Sequence, residues 1–147
     1  THNFMTDIQQ RLEENLSQQA FMTSLGARVG TVMDGEVHIE LPFSAHLAQR
    51  NGGLHAGAAI SIAHIASAYA AVTQLGAEET AVVAEIKINF LRPIMGEHFV
   101  AIGRVAHKGK TMSVCTCEVQ AFQAGTVRHK VAALVQATLV HVPNHKS

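Results

Sequence analysis

Residues 56–75 run for twenty positions without an Asp, Glu, Lys or Arg. No other stretch limits the fold as much. A helix that is apolar nearly all the way round must be covered on most sides, so the rest of the chain has to wrap it. The run is about as long as a membrane span. It nevertheless holds Ser61, His64, Ser67, Thr73 and Gln74, and most of its apolar residues are alanine. Alanine and serine contribute little to insertion. The expectation is a central helix in a protein core, with no membrane span. Its many small side chains let a sheet approach closely.

The flanking sequence supplies that cover. Near the start, Ile8, Leu12 and Leu16 recur every four residues and give a helix with one apolar stripe. Thr6 and Gln9 have the spacing of a capping box, and Leu25-Gly26 reads as a stop signal. Next comes a hairpin. The run from Arg28 to Met33 leads into Asp34-Gly35, a strong two-residue turn. Val37, Ile39 and Leu41 then alternate with Glu36, His38 and Glu40, as in a half-buried strand that Pro42 ends. Residues 44–57 are irregular. After the helix, strands are expected over 84–90, 98–107, 111–122 and 127–141, with turns at Lys108-Gly109 and Ala124-Gly125. Long strands joined by tight turns make an antiparallel sheet. The economical arrangement is an α+β fold in which a strongly curved antiparallel sheet wraps the long helix. Such a sheet has open edges that invite pairing, so a dimer that continues the sheet follows.

At 147 residues the chain suits one domain. Residues 1–19 form its N-terminal helix, 20–141 its core and 142–147 a tail. The formal net charge is zero, which leaves no basic footprint for nucleic acid. Cys115 and Cys117 alternate along one strand and should share a face. That spacing suits neither a disulfide nor a zinc knuckle, so they read as small core residues in a reducing, cytoplasmic compartment. Ten histidines raise the question of a metal, but no compact ligand set appears. His141 and His145 are four apart, yet Pro143 breaks the helix that this spacing would need. Neither a metal nor a cofactor is expected.

The run QRNGGLHAGAAISIAHIASAYAA resembles the signature of the PaaI-type hotdog-fold acyl-CoA thioesterases. In that family a Gln or Asn precedes a His-Gly-Gly or His-Ala-Gly that opens the central helix. An acidic residue follows nine positions after the His. The later runs AEIKINFLRP and GRVAHKGKTMSVCTCEV resemble the family's next strand and hairpin, so the likeness covers roughly residues 20 to 141. The resemblance implies a hotdog fold, a homodimer or tetramer, and an acyl-CoA or other acyl-thioester substrate. It places Gln49 where relatives hold the nucleophilic water or substrate. His55 falls beside the thioester, and Gly57 where a backbone N–H polarises the thioester carbonyl. Physics supports that last role independently, because the first turn of a helix has unpaired N–H groups and a positive dipole end.

The family's acid falls on His64. Imidazole can serve as a substitute base, since it titrates near neutrality. Ser61 and Ser67 lie three residues to either side and could orient it. The bland alternative is a buried neutral histidine bonded to a neighbour and inert. A third possibility is a module of the same fold that binds acyl thioesters with little or no hydrolysis. Asn51, Ser67 and Val83 are candidate substrate contacts, Val83 standing where some relatives carry a hydroxyl. Lys108 and Lys110 flank a glycine and could meet the phosphates of CoA, with Arg92 or Arg104. Glu85 lies on the polar side of its strand, as a solvated or interface acid would. A hotdog dehydratase would pair a histidine with an acid, and no acid is placed near His55 or His64 by the sequence. No G-x-S-x-G elbow is present for a serine nucleophile.

Overall fold

The computed structural model describes residues 4–145. In chain order the elements are α1 (Phe4–Ser17), α2 (Ala20–Leu25), β1 (Arg28–Met33), β2 (Glu36–Pro42), a 3-10 turn (Ala45–Leu47), α3 (Ala56–Val72), β3 (Glu79–Phe90), β4 (His98–Lys108), β5 (Met112–Phe122) and β6 (His129–Pro143). The six strands form one sheet in the order β1-β2-β4-β5-β6-β3, antiparallel at every step. It wraps α3, which is the hotdog arrangement the resemblance implied.

Alternation builds the core. Val37, Ile39 and Leu41 on β2, Phe99 and Ala101 on β4, and Cys115, Cys117 and Val119 on β5 are all buried on the face that meets α3. Both thiols are free, as a shared inward face implies. Burial pushes the Cys115 thiol up to about 11 and the Cys117 thiol up to about 12, which keeps them protonated and inert. Helix and sheet approach closely at Gly103 on β4. A Cβ there would collide with the carbonyl of Ala66 and the amide of Ser67. The alanines of α3 serve the same closeness from the other side.

The N-terminal stripe is in place: Ile8, Leu12 and Leu16 are buried. Thr6 does not cap the helix, because α1 begins at Phe4 and takes Thr6 into its first turn. The helical region is also broken after Ser17, and α2 then ends at Gly26, whose φ of 86° provides the left-handed cap. The Asp34-Gly35 turn closes β1 onto β2 as expected, with Met33 paired to Glu36. Its Gly35 N–H is bonded to Thr73 Oγ1 at 2.8 Å, which ties the hairpin to the end of α3.

Three boundaries differ from the sequence reading. α3 ends at Val72 rather than near Leu75, and residues 73–75 turn away. β3 begins at Glu79, five residues before position 84. A bulge between Val83 and Glu85 shifts its alternation, so the pattern looks clean only beyond it. Val127 lies outside β6 and is 92% exposed. Among the described residues, no helix is long and apolar enough to cross a membrane.

Candidate active site

The loop before α3 is a closed turn held on both sides. Gln49 N–H donates to Gly53 O at 2.8 Å, and Gly52 N–H returns to Gln49 O at 3.0 Å. Gly52 has φ of 91°, a conformation that side chains resist. Asn51 Oδ1 accepts from Gly53 N–H at 3.1 Å, so this amide stiffens the turn. Leu54 is fully buried, and its N–H donates to Ile94 O. His55 N–H donates to Leu47 O at 2.8 Å. The loop therefore delivers His55 to a fixed place as the N-cap of α3. Beside it, a cleft of about 350 Å³ is lined by Gln49, Asn51, Ala56, Phe90, Leu91 and Arg92, among others.

The cap itself modifies the expected geometry. His55 Nδ1 accepts the N–H of Gly57 at 2.8 Å. The neutral ring must then carry its proton on Nε2. Ala58 and Ala59 N–H both donate to the His55 carbonyl. The donor assigned to a thioester carbonyl is thus already held by the motif histidine. A Cβ on Gly57 would stand only 3.0 Å from that ring nitrogen, so glycine is what lets the ring fold over the amide.

Most of α3 is buried, but Gly57, Ile60, Ser61 and His64 are only partly covered. They form one stripe two turns long. Burial lowers the His64 pKa below its ordinary value of 6.5. The ring has no hydrogen-bond partner among the described residues. Ser61 and Ser67 do not orient it either. Ser61 Oγ donates to Gly57 O at 2.7 Å. Ser67 is fully buried, its Oγ meets no hydrogen-bonding nitrogen or oxygen among the described residues, and Cys115 Sγ donates to its carbonyl at 3.4 Å. Residues three before and three after His64 lie about 60° to either side of it on a helix, and the later one faces the sheet.

Val83 is partly buried and packs against the small cluster of Ala68, Ala71, Cys115, Ala137 and Leu139. Glu85 is exposed with Lys87 and Asn89 on the opposite face of the sheet, where its carboxylate cannot serve His64 of the same chain. Arg104 is likewise on that outer face, bonded to Glu36 at 2.7 Å and Glu118 at 3.4 Å. Arg92 shares the cleft with Gln49. Lys108 and Lys110 lie at the far end, in a cleft of about 420 Å³ with Gln74, Leu75, Gly76, Glu79 and His141. The 17-residue α3 puts roughly 25 Å between the two ends. Within one chain, then, Gln49, Asn51, His55 and Gly57 are brought together, and the two lysines are not.

One polar pair escaped the sequence reading. Ser113 Oγ and His141 Nε2 are 2.8 Å apart, and His141 Nδ1 is 3.2 Å from Lys110 O. The signal was available: strand alternation carries Cys115 back to Ser113, and Leu139 on to His141, along one inward face.

A sequence profile described as the thioesterase superfamily matches residues 51–127, just over half of the chain. A protein of Saccharolobus solfataricus described as a candidate esterase is 34% identical over 94 residues, which are 64% of this chain. The chain spans 66% of that relative's length. Among solved structures, a thioesterase family protein from Silicibacter pomeroyi superposes with a TM-score of 0.87 at 32% identity, covering 93% of this chain and 99% of that one. The PaaI protein of E. coli, from the phenylacetic acid degradation operon, superposes with a TM-score of 0.82 over 95% of this chain and 96% of its own. At 23% identity, that second likeness speaks for the fold alone. Profile, sequence relatives and architecture agree, and the chain belongs to the thioesterase superfamily with its hotdog fold.

Proposed function

We propose that this protein hydrolyses acyl-CoA thioesters in the manner of the PaaI type, at a site built by two copies of the chain. The observation that carries the reading is the partly covered stripe of α3. Gly57 and His64 lie at its two ends, with Ile60 and Ser61 midway between them. Seven residues separate the ends, about 10 Å along a helix. That distance leaves His64 short of a water attacking a carbonyl at Gly57 in the same helix. Two such helices packed antiparallel about Ile60 and Ser61 cover the stripe and set Gly57 of one against His64 of the other. β3, an open edge of twelve residues, can pair with its own copy across the same axis. Antiparallel pairing brings the Glu79 end of one β3 to the Phe90 end of the other. The Lys108–Lys110 turn, which shares a cleft with Glu79, then comes beside the other copy's Gln49 cleft.

In this site the substrate carbonyl displaces the His55 ring and accepts the Gly57 N–H. Gln49, with Asn51, borders the acyl carbonyl and the attacking water. His64 of the partner subunit takes a proton from that water, and the hydroxide adds to the carbonyl carbon. The oxyanion rests on Gly57 N–H at the positive end of α3, a placement that contributes on the order of 3 kcal/mol. Collapse breaks the C–S bond, and the departing thiolate receives the proton from His64. Val83 borders the acyl chain. Lys108 and Lys110 of the partner, with Arg92, meet the CoA phosphates.

The test is turnover of acyl-CoA by wild type, His64→Ala and Gln49→Ala, alone and mixed. Each variant alone should lose about 100-fold or more in kcat. Mixed subunits should regain up to about a quarter of wild-type activity, because half the dimers are hybrid and each hybrid keeps one intact site. No regain on mixing would remove the shared site. Equal rates in wild type and His64→Ala would remove the base. The histidine at the acid's position also motivates a second reading, in which the protein binds acyl thioesters without hydrolysing them. His64→Asp decides it: hydrolysis that appears only in that variant favours binding without chemistry.

A further inference from the structure

We propose that His141, braced by Ser113, is a positioning residue that holds the Lys108–Lys110 turn in the shape that presents both lysines to the substrate's phosphates. This rests on the reading of those lysines given above. The turn joins β4 to β5, and several bonds fix it. Gly109 N–H donates to Met112 O at 2.7 Å, and His141 N–H on β6 donates to Thr111 O at 2.9 Å. A Cβ on Gly109 would stand 2.9 Å from Met112 O, so the turn is as tight as glycine allows. The imidazole adds the cross-brace. Lys110 O can only accept, so His141 Nδ1 carries the proton, and Nε2 of the neutral ring accepts from Ser113 O–H. One ring therefore couples the turn to a hydroxyl in the core.

Ser113 is 1% exposed. A serine so enclosed is no nucleophile for an outside ester, and its hydroxyl needs a partner. His141 satisfies that need and passes the rigidity outward. Neither lysine has an ion-pair partner among the described residues, although Glu79 borders the same cleft. Two unpaired cations on a braced turn are ready for a polyanion. The bracing removes part of the ordering cost that a loose loop would bear on binding.

The experiment measures affinity for CoA and for pantetheine, which lacks the nucleotide, by calorimetry on the full chain. His141→Leu should weaken CoA about fivefold, the scale of one or two side chains left to be ordered on binding. His141→Gln keeps one donor and one acceptor and should restore most of the loss. Ser113→Ala should show a smaller loss in the same direction. Pantetheine affinity should move less than twofold in all three. In turnover the loss should appear in KM for acyl-CoA rather than in kcat. If Lys108→Ala and Lys110→Ala leave CoA binding at the wild-type level, the phosphate reading of the turn fails and this proposal falls with it. If the lysine variants weaken CoA and His141→Leu and Ser113→Ala do not, the positioning role alone is overturned. Equal weakening of CoA and pantetheine by His141→Leu and Ser113→Ala would also overturn it, since that would mark a general loosening of the fold.

Discussion

An imidazole pressed against protein loses part of the hydration that stabilises its charge, and His64 is such a ring. Burial lowers its pKa below 6.5. A neutral ring is the form that can accept a proton, so a base at this position stays competent below the usual range for histidine. The kcat/KM profile should be flat above pH 6.5 and fall only beneath it. Any activity left in His64→Gln should lack that limb. The sign for stability is the same. The unfolded chain protonates this residue first as pH drops, so its contribution is complete above 6.5 and shrinks as pH falls below that. His55 acts through a different property, its place at the head of α3. His55→Ala should cost about 1 kcal/mol in urea unfolding, and His55→Asp should return most of it, because a carboxylate can take over the cap. The sequence located both histidines. It could not tell that the His55 ring folds back on Gly57 N–H, since this depends on a rotamer and on a loop pinned by Ile94 and Leu47 from outside the motif. The His141–Ser113 pair stayed hidden for a related reason, as the two lie 28 residues apart and meet only through sheet register.

At the scale of elements, α3 and β3 raise the same question, because each is covered on only part of its surface. Every strand and the central helix were legible from alternation and from the uncharged run. Their ends were less so. The bulge at Val83 broke the alternation of β3 and hid its first five residues. The open stripe of α3 was not legible either: Ser61 and His64 on it have a counterpart in Ser67 on the covered side, and only the position of the sheet separates them. Ile60 sits in the middle of that stripe. Ile60→Lys should turn a dimer into a monomer in sedimentation, since two like charges would meet at the two-fold axis. Hydrolysis should fall at least about 100-fold with it. A variant that stays dimeric and active would show that α3 does not pair along this face.

At the scale of the whole molecule, the resemblance placed the fold correctly because its motif sits where the helix must begin. The site residues it named do not all meet within one chain. Lys108 and Lys110 fell in the expected hairpin, yet within one chain they stand a helix length from Gln49. Whether they serve one site is therefore a question about assembly. The contact at Gly103 bears on all of it. Gly103→Ala should cost about 2 kcal/mol or more in urea unfolding, because backbone rather than a flexible side chain would have to yield. The contact also sets a helical phase. With α3 clamped at Ala66 and Ser67, the direction in which Gly57 and His64 point is counted from that clamp, about 100° for each residue. One alanine inserted between His64 and Ala66 would swing the entire stripe away from its present direction while leaving its composition intact. The same insertion after Val72 would leave the stripe's orientation as it was. What the chain keeps constant at this position is thus an angle, and the chemistry proposed for the far end of the helix depends on it.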